Sequence, residues 1–92
     1  MKEYKVLVNF YKAEDGGRKT EINTTFPYRP IFVFDKKNYH CQIDFEKGVK
    51  FFPGDRVEAI IRVSNCPIKI GDTFALRELK EIASGSVVSE LM

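Results

Sequence analysis

Long apolar segments are absent from this 92-residue sequence. The longest unbroken apolar run covers only residues 31–34, and residues 1–5 are charged rather than apolar. A membrane-spanning helix needs about 20 apolar residues, and a secretory signal needs an apolar stretch after its basic start. We therefore predict no membrane contact and no secretory signal, and we expect a cytoplasmic protein.

Histidine and cysteine are scarce, with His40, Cys41 and Cys66 as the complete set. The two cysteines are far apart and form no Cys-x-x-Cys pair, so Cys and His alone do not supply a zinc site. In a reducing compartment we expect both thiols to be free. The sequence by itself leaves a disulfide open.

Motifs of nucleotide binding and covalent catalysis are also missing. The sequence contains no P-loop, no Gly-x-Gly-x-x-Gly segment and no serine nucleophile elbow. His40 and Cys41 are neighbours in a predicted strand, so their side chains point to opposite faces and are poorly placed as a base–nucleophile pair. We predict no catalytic residues, no cofactor and no metal; His40 beside Cys41 or a carboxylate in a deep cleft would reverse that prediction.

What the sequence does contain is the composition of an ordinary globular chain and a series of short β-patterns. It is 43% hydrophobic and 30% charged, and its length suits one domain over residues 1–92. β-Forming residues with period two predict strands. They cover residues 4–11, 31–34, 39–46, 56–63, 73–79 and 81–91. Because no helical segment separates them, the fold class is all-β, an antiparallel sandwich or barrel.

Finer expectations accompany these strands. In the first, Val6, Val8 and Phe10 are assigned to one face and Tyr4 and Leu7 to the other. Irregular segments are expected as a turn over residues 13–18, a loop over 19–30, a hairpin turn around 36–38, a loop over 51–55 and a bend at the small residues 83–86.

Basic residues with aromatic neighbours lie in the loops of the first half. The pairs are Arg18-Lys19, Tyr28-Arg29 and Lys36-Lys37. Such groups suit phosphate contact, but the formal net charge is only +2 and acidic residues lie nearby. An RNA-facing patch, a solvated rim and a protein-contacting surface all remain open on this evidence.

Several motifs in series resemble the third, C-terminal β-barrel domain of bacterial elongation factor Tu. Their order and spacing match that domain across nearly the whole chain. The motifs are Asp15-Gly16-Gly17-Arg18-Lys19-Thr20, Tyr28-Arg29-Pro30-Ile31-Phe32-Val33-Phe34, Pro53-Gly54-Asp55, Cys66-Pro67-Ile68, Phe74-Ala75-Leu76-Arg77-Glu78 and Gly85-Ser86-Val87-Val88. The resemblance implies a six-stranded antiparallel barrel, closed or partly open with Greek-key-like connections.

The resemblance also implies a function. In that family the domain helps to hold the T stem of aminoacyl-tRNA, packs against the GTPase domain and contacts the nucleotide-exchange factor. Carried onto this chain, and including the basic hairpin, the RNA or partner-binding residues are Arg18, Lys19, Tyr28, Arg29, Lys36, Lys37, Asn38, His40 and Arg77. Ile31 occupies a position that is typically glutamine in the family.

Two functions follow as hypotheses. The first is a stand-alone, non-catalytic binding module for tRNA-like RNA or a translation protein. The second is a protein-interaction or mimicry module that docks on a GTPase or captures an exchange factor without binding RNA, with Ile31, Phe51 and Phe52 as its interface. Internal ion pairs or carbonyl contacts of Arg18 and Arg29 are the structural alternative to either.

Overall fold

The described part of this computed structural model comprises residues 2–19, 22–23, 28–45 and 50–91. In these residues the chain forms strands joined by turns, with one short 3-10 turn at Ala13–Asp15. The strands are β1 (Lys2–Phe10), β2 (Ile22–Asn23), β3 (Ile31–Phe34), β4 (Lys37–Asp44), β5 (Lys50–Phe51), β6 (Arg56–Val63), β7 (Thr73–Arg77) and β8 (Glu81–Leu91).

The barrel consists of six strands in the order β1-β6-β4-β3-β7-β8, and β8 pairs with β1 to close it. Every neighbouring pair is antiparallel. Closure gives each barrel strand a hydrogen-bonded neighbour on both sides, so none of them has a free edge. The prediction of an all-β, six-stranded antiparallel barrel is confirmed, and the barrel is closed.

The alternation of side chains sorts the barrel into an apolar inside and a polar outside. Along β6 the buried and exposed residues alternate without a break, with Val57 and Ile61 among the buried ones. In β1 the same period places Tyr4 on the inner face with Val6, where Tyr4 is 2% exposed. The assignment of Tyr4 to the outer face was wrong, because Tyr4 and Val6 are two residues apart and share a face.

One end of the barrel is closed by aromatic rings. Phe45 lies at the centre of this cap, with ring centroids 6.2 Å from Phe10, 6.1 Å from Tyr28 and 4.9 Å from Phe51. The small sheet β2–β5 pairs Ile22 with Phe51 and brings the Phe51 ring into the cap. Phe51 is therefore buried, and the expectation that its side chain is exposed was wrong.

Two expectations about loops change with this small sheet. Ile22–Asn23 forms β2 inside a segment that was expected to be irregular, whereas residues 24–27 lie outside the described part of the chain. Phe51 belongs to β5 rather than to a loop.

The β3–β4 hairpin turns through Asp35 and Lys36, which have φ values of 50° and 63°. Two successive residues in this left-handed region are typical of a two-residue turn whose twist matches that of the flanking strands. Lys37 and Asn38 belong to β4, so the turn lies one residue earlier than expected.

Strand β7 ends at Arg77, two residues before the predicted end at Leu79. Glu78 donates its backbone N–H to the Lys80 carbonyl at 3.0 Å, and this turn leads directly into β8.

The small residues of β8 serve close packing rather than a bend at their own positions. The pairing of β8 is irregular on both sides of them, beside Arg77 of β7 and beside Lys5 of β1. Gly85 lies between these points, and a Cβ there would come within 2.5 Å of the Phe74 ring and 2.7 Å of the Leu7 carbonyl oxygen. The pairing of residues 83–86 with β1 and β7 is thus regular, and the register shifts lie on either side of them.

Candidate nucleic-acid interface

The outer surface of three neighbouring strands brings together several of the predicted site residues. Ile31 on β3 lies between His40 on β4 and Arg77 on β7, each being its direct cross-strand neighbour. The next outward row pairs Val33 with Asn38 and Ala75. We call these two rows, with Arg29, the β3 face. The turn residue Lys36 lies at its hairpin end, whereas Lys37 pairs with Phe34 and lies on the side of β4 that Cys41 occupies.

Arg29 joins this face because the register of the β3–β4 pair continues beyond the start of β3. Tyr28 forms an antiparallel bridge with Ile43, so Arg29 lies opposite Gln42. The Arg29 guanidinium donates through Nε and Nη2 to Gln42 Oε1 at 3.4 and 3.3 Å. Pro30 restricts Arg29 to extended backbone, which keeps its side chain alongside β4.

Gln42 is itself oriented by a carboxylate. Its amide nitrogen donates to Asp44 Oδ1 at 3.2 Å, which turns the amide oxygen toward Arg29. The structural alternative for Arg29 was an ion pair or a carbonyl contact, and the observed acceptor is the side-chain carbonyl oxygen of Gln42.

Arg18 and Tyr28 meet at Glu78, just after β7. Arg18 Nη1 donates to Glu78 Oε2 at 2.6 Å, and the Tyr28 hydroxyl donates to the same oxygen. Burial, and then the carboxylate, raise the pKa of the Tyr28 phenol. The structural alternative for Arg18 is confirmed, because its ion pair with Glu78 holds the loop after β1 against the barrel. This loop therefore lies next to Arg77, the residue before Glu78.

Several cations on and beside the β3 face have no carboxylate within ion-pair distance among the residues that the structure describes. They are Lys19, Arg29, Lys36, Lys37 and Arg77. On the outer wall of β1, β6 and β8, Lys2, Lys5 and Arg62 pair with acidic residues, whereas the exposed Arg56 at the start of β6 has no ion pair within the described ranges. Most cations of this wall are therefore compensated by a nearby carboxylate, and those of the β3 face are not.

The remaining predicted residues lie at different places. Lys36 and Lys37 lie at the far end of the β3–β4 hairpin, and Lys19 lines a groove with Lys80 beside the Arg18 ion pair. Phe52 is 54% exposed in the loop before β6, where its N–H donates to Asp55 Oδ2 at 2.9 Å. Strand β4 separates Phe52's neighbour β6 from β3, so Phe52 and Ile31 are not adjacent.

His40 and Cys41 take opposite sides of β4, as the alternation predicts. His40 is exposed, while Cys41 is buried and donates from Sγ to the Pro30 carbonyl at 3.2 Å. Burial raises the pKa of the Cys41 thiol to about 12, so its reactive thiolate is not populated near neutral pH. Cys41 and Cys66 are both free thiols, as expected.

Within residues 2–19, 22–23, 28–45 and 50–91, no three His, Cys, Asp or Glu side chains group into a set that could hold a metal ion. In the same ranges no helix has the length and apolar character needed to span a membrane.

Sequence reasoning missed Gln42 and Arg62 as part of this surface. Gln42 shares the outward side of β4 with His40, two residues away, and Arg62 is its direct neighbour on β6. The period of two along β4 would have been enough to place Gln42 on the same side as His40. To place Arg62 beside them, the pairing of β4 with β6 had to be known, and no local sequence pattern encodes that pairing. No protein-family model matches the chain.

Proposed function

We propose that this protein is a non-catalytic, translation-related RNA-binding module that acts in the cytoplasm. Its β3 face lies against the sugar-phosphate backbone of a tRNA-like helix. The observation that carries the proposal is the set of cations on this face, from Lys36 at the hairpin to Arg77 at the end of β7, that have no carboxylate partner in the described residues.

The dimensions of the face suit a backbone contact. Strand β4 has 8 residues, which corresponds to roughly 23 Å at about 3.3 Å per residue. Cations distributed over that length can reach several phosphates, and Arg and Lys are the side chains that most often make such contacts. The proposed ligand surface is therefore the backbone of a helix rather than a single base.

The centre of the face argues for weak sequence discrimination. Ile31, Val33 and Ala75 present methyl groups, which cannot read the hydrogen-bonding edge of a base. Binding through the surrounding cations depends on phosphate charge and on the release of counterions. We expect affinity that falls steeply with salt and changes little among RNA helices of different sequence.

The test is a titration with tRNA and with an RNA hairpin at about 50 and about 200 mM salt. Arg77→Gln and Lys36→Gln should each weaken binding and reduce the slope of log affinity against log salt by about 1. Lys5→Gln is the matched control, because Lys5 lies on the opposite wall and pairs with Glu58. Absence of binding at low salt, or equal losses in the control, would overturn the proposal.

A second function is favoured by one observation, the apolar centre of the same face. Partly buried Ile31 and Val33 lie side by side with Ala75, and Phe52 and Leu79 are exposed elsewhere. An apolar centre with a charged rim is the usual arrangement of a protein-binding surface. The partner would be a translation GTPase or its exchange factor.

Ile31→Gln separates the two functions. The amide is polar and can donate to a phosphate, so RNA binding should be kept or strengthened. Docking of a protein on the apolar centre should weaken, because the substitution places a polar group where apolar contact is required. The measurements are RNA affinity and capture of purified GTPase or exchange factor by the same variant.

A further inference from the structure

A groove with a volume of about 280 Å³ opens between the segment before β3 and the outer sides of β4 and β6. Arg29, His40, Gln42 and Arg62 line its polar side. The groove lies at the border of the β3 face, and of these four residues Arg29 and His40 were predicted to take part in binding. Its lining concentrates two guanidinium groups and one imidazole around one concave space.

The Arg29 donors in this groove can leave their present hydrogen-bond acceptor and bind a ligand instead. Both bonds from Arg29 to Gln42 are 3.3 Å or longer, which is at the weak end of N–H···O geometry. The acceptor is a neutral amide, so an anion entering the groove would form stronger, charge-assisted bonds with the same nitrogens. Arg29 has no carboxylate partner in the part of the chain that the structure describes.

Arg62 contributes the second guanidinium, and two carboxylates compensate its charge. Arg62 Nε donates to Glu3 Oε1 at 2.6 Å, and Nη2 lies 3.7 Å from Asp44 Oδ2. The Arg62 side chain is 44% exposed, and an exposed ion pair of this kind contributes little to stability. Arg62 can therefore exchange one carboxylate contact for an anionic ligand at low cost.

We propose that this groove binds one phosphate group, held by Arg29 and Arg62 with His40 at the side. A planar guanidinium group can donate two hydrogen bonds to a pair of phosphate oxygens. Arg29 before β3 and Arg62 on β6 can present such donors to different oxygens of the same phosphate. The phosphate comes either from the terminus or from the backbone of the RNA proposed above. Binding of free phosphate does not depend on that proposed function.

The first experiment adds inorganic phosphate at constant ionic strength and follows the backbone amides by NMR. Amide shifts should saturate at residues 29–31, 40–42 and 62, and Arg29→Gln should weaken binding about tenfold through the loss of charge-assisted hydrogen bonds. Shifts that are spread over all basic surfaces, no shift up to about 50 mM phosphate, or unchanged binding by the variant would overturn the site.

Glu3→Gln provides a test in the opposite direction. The variant removes the carboxylate that pairs with Arg62, so this guanidinium is more available to phosphate, and phosphate binding should strengthen about threefold. Glu58→Gln is the matched control, since Glu58 is also on the outer side of the β1–β6 pair but pairs with Lys5. Equal effects of the two variants would mean that only overall charge matters, and would overturn the role of Arg62.

A second pair of ligands identifies the source of the phosphate. One RNA hairpin is compared with and without its 5′-phosphate, using the wild type and Arg62→Gln, because Arg29 also belongs to the β3 face and Arg62 does not. Loss of affinity on removal of the phosphate in the wild type alone assigns the groove to a chain terminus. Equal affinity for both hairpins, with a loss in Arg62→Gln, assigns it to a backbone phosphate. RNA binding that is insensitive to Arg62→Gln would overturn the groove as an RNA contact and leave the β3 face intact, whereas phosphate binding without RNA binding would overturn only the proposed function.

Discussion

Arg18 Nη1 donates a 2.6 Å hydrogen bond to Glu78 Oε2, across 60 positions of sequence. The two side chains are 24% and 32% exposed, so water only partly screens the pair. Tyr28 donates to the same oxygen. One carboxylate thereby connects the loop after β1, the segment before β3 and the turn after β7.

Replacement of Glu78 by glutamine should destabilise the protein by about 1–3 kcal/mol, because Arg18 loses its ionic partner and Tyr28 loses a charged acceptor. Urea unfolding followed by tyrosine fluorescence measures the change. Glu58→Gln removes one partner of the exposed Lys5–Glu58 pair, with 45% and 64% exposure, and should cost less than about 1 kcal/mol. Equal costs for the two variants would contradict the structural role of Glu78.

Gly85→Ala should be among the most damaging single-methyl additions in the barrel. The new Cβ would lie 2.5 Å from Phe74 Cζ, and the Phe74 ring cannot easily withdraw because it stacks on Phe32 at 4.7 Å. We expect a loss of about 1–3 kcal/mol from overpacking. Thermal unfolding is the measurement.

Gly16→Ala serves as the matched control for Gly85→Ala. Its Cβ would meet nothing within 4 Å, so the only expected cost is the backbone strain of alanine at a φ of 90°. This strain should lower the free energy of unfolding by about 1 kcal/mol. Phe74→Leu should partly rescue Gly85→Ala. A rescue of Gly16→Ala by Phe74→Leu would contradict the packing argument.

Lys36→Gly should stabilise the protein by about 0.5–1 kcal/mol, because Lys36 has a φ of 63° that glycine adopts without strain. Lys37→Gly removes the same charge from the next residue, which belongs to β4, and should destabilise by a similar amount. Chemical unfolding of both variants gives the sign. Destabilisation by Lys36→Gly would show that the turn does not adopt this conformation in solution.

Alkaline pH should destabilise the protein partly through Cys41. Burial raises its thiol pKa from 9.0 to about 12 in the folded state, so the unfolded chain loses this proton first. The contribution of the neutral Cys41 thiol to the free energy of unfolding is fully present below pH 9. It is lost as the pH rises toward 12, and the free energy of unfolding falls by about 1.4 kcal/mol per pH unit in this range. Urea unfolding at a series of pH values should show a steeper decline for the wild type than for Cys41→Ala. Parallel curves would contradict the burial of the thiol.

The all-β class and the strands with strict alternation could be predicted from the sequence, because period two directly reports one buried and one solvated face. Strand β6 is the clearest example. The burial of Phe51 could not be predicted, since it depends on the pairing of β5 with the distant β2 and on the Phe45 ring. Local patterns contain no information on such contacts.

The candidate site divides in the same way. The basic loop residues were identifiable from their type, but their pairing state was not. Arg18 has Glu78 as a partner, whereas Arg77, the direct neighbour of Glu78 in sequence, has no carboxylate within ion-pair distance among the described residues. Which cation remains available to a ligand depends on side-chain directions after folding, and the sequence does not encode them locally.

The closure of the barrel by β8 also has a consequence for biosynthesis. β8 supplies a neighbour to β1, the first barrel strand to leave the ribosome, and to β7. While residues 81–91 are still inside the exit tunnel, β1 and β7 each lack one partner strand. The ring can form only after the end of β8 has emerged, so the nascent chain exposes two unpaired strand edges until then, and these edges are where chaperone binding or misassembly would begin.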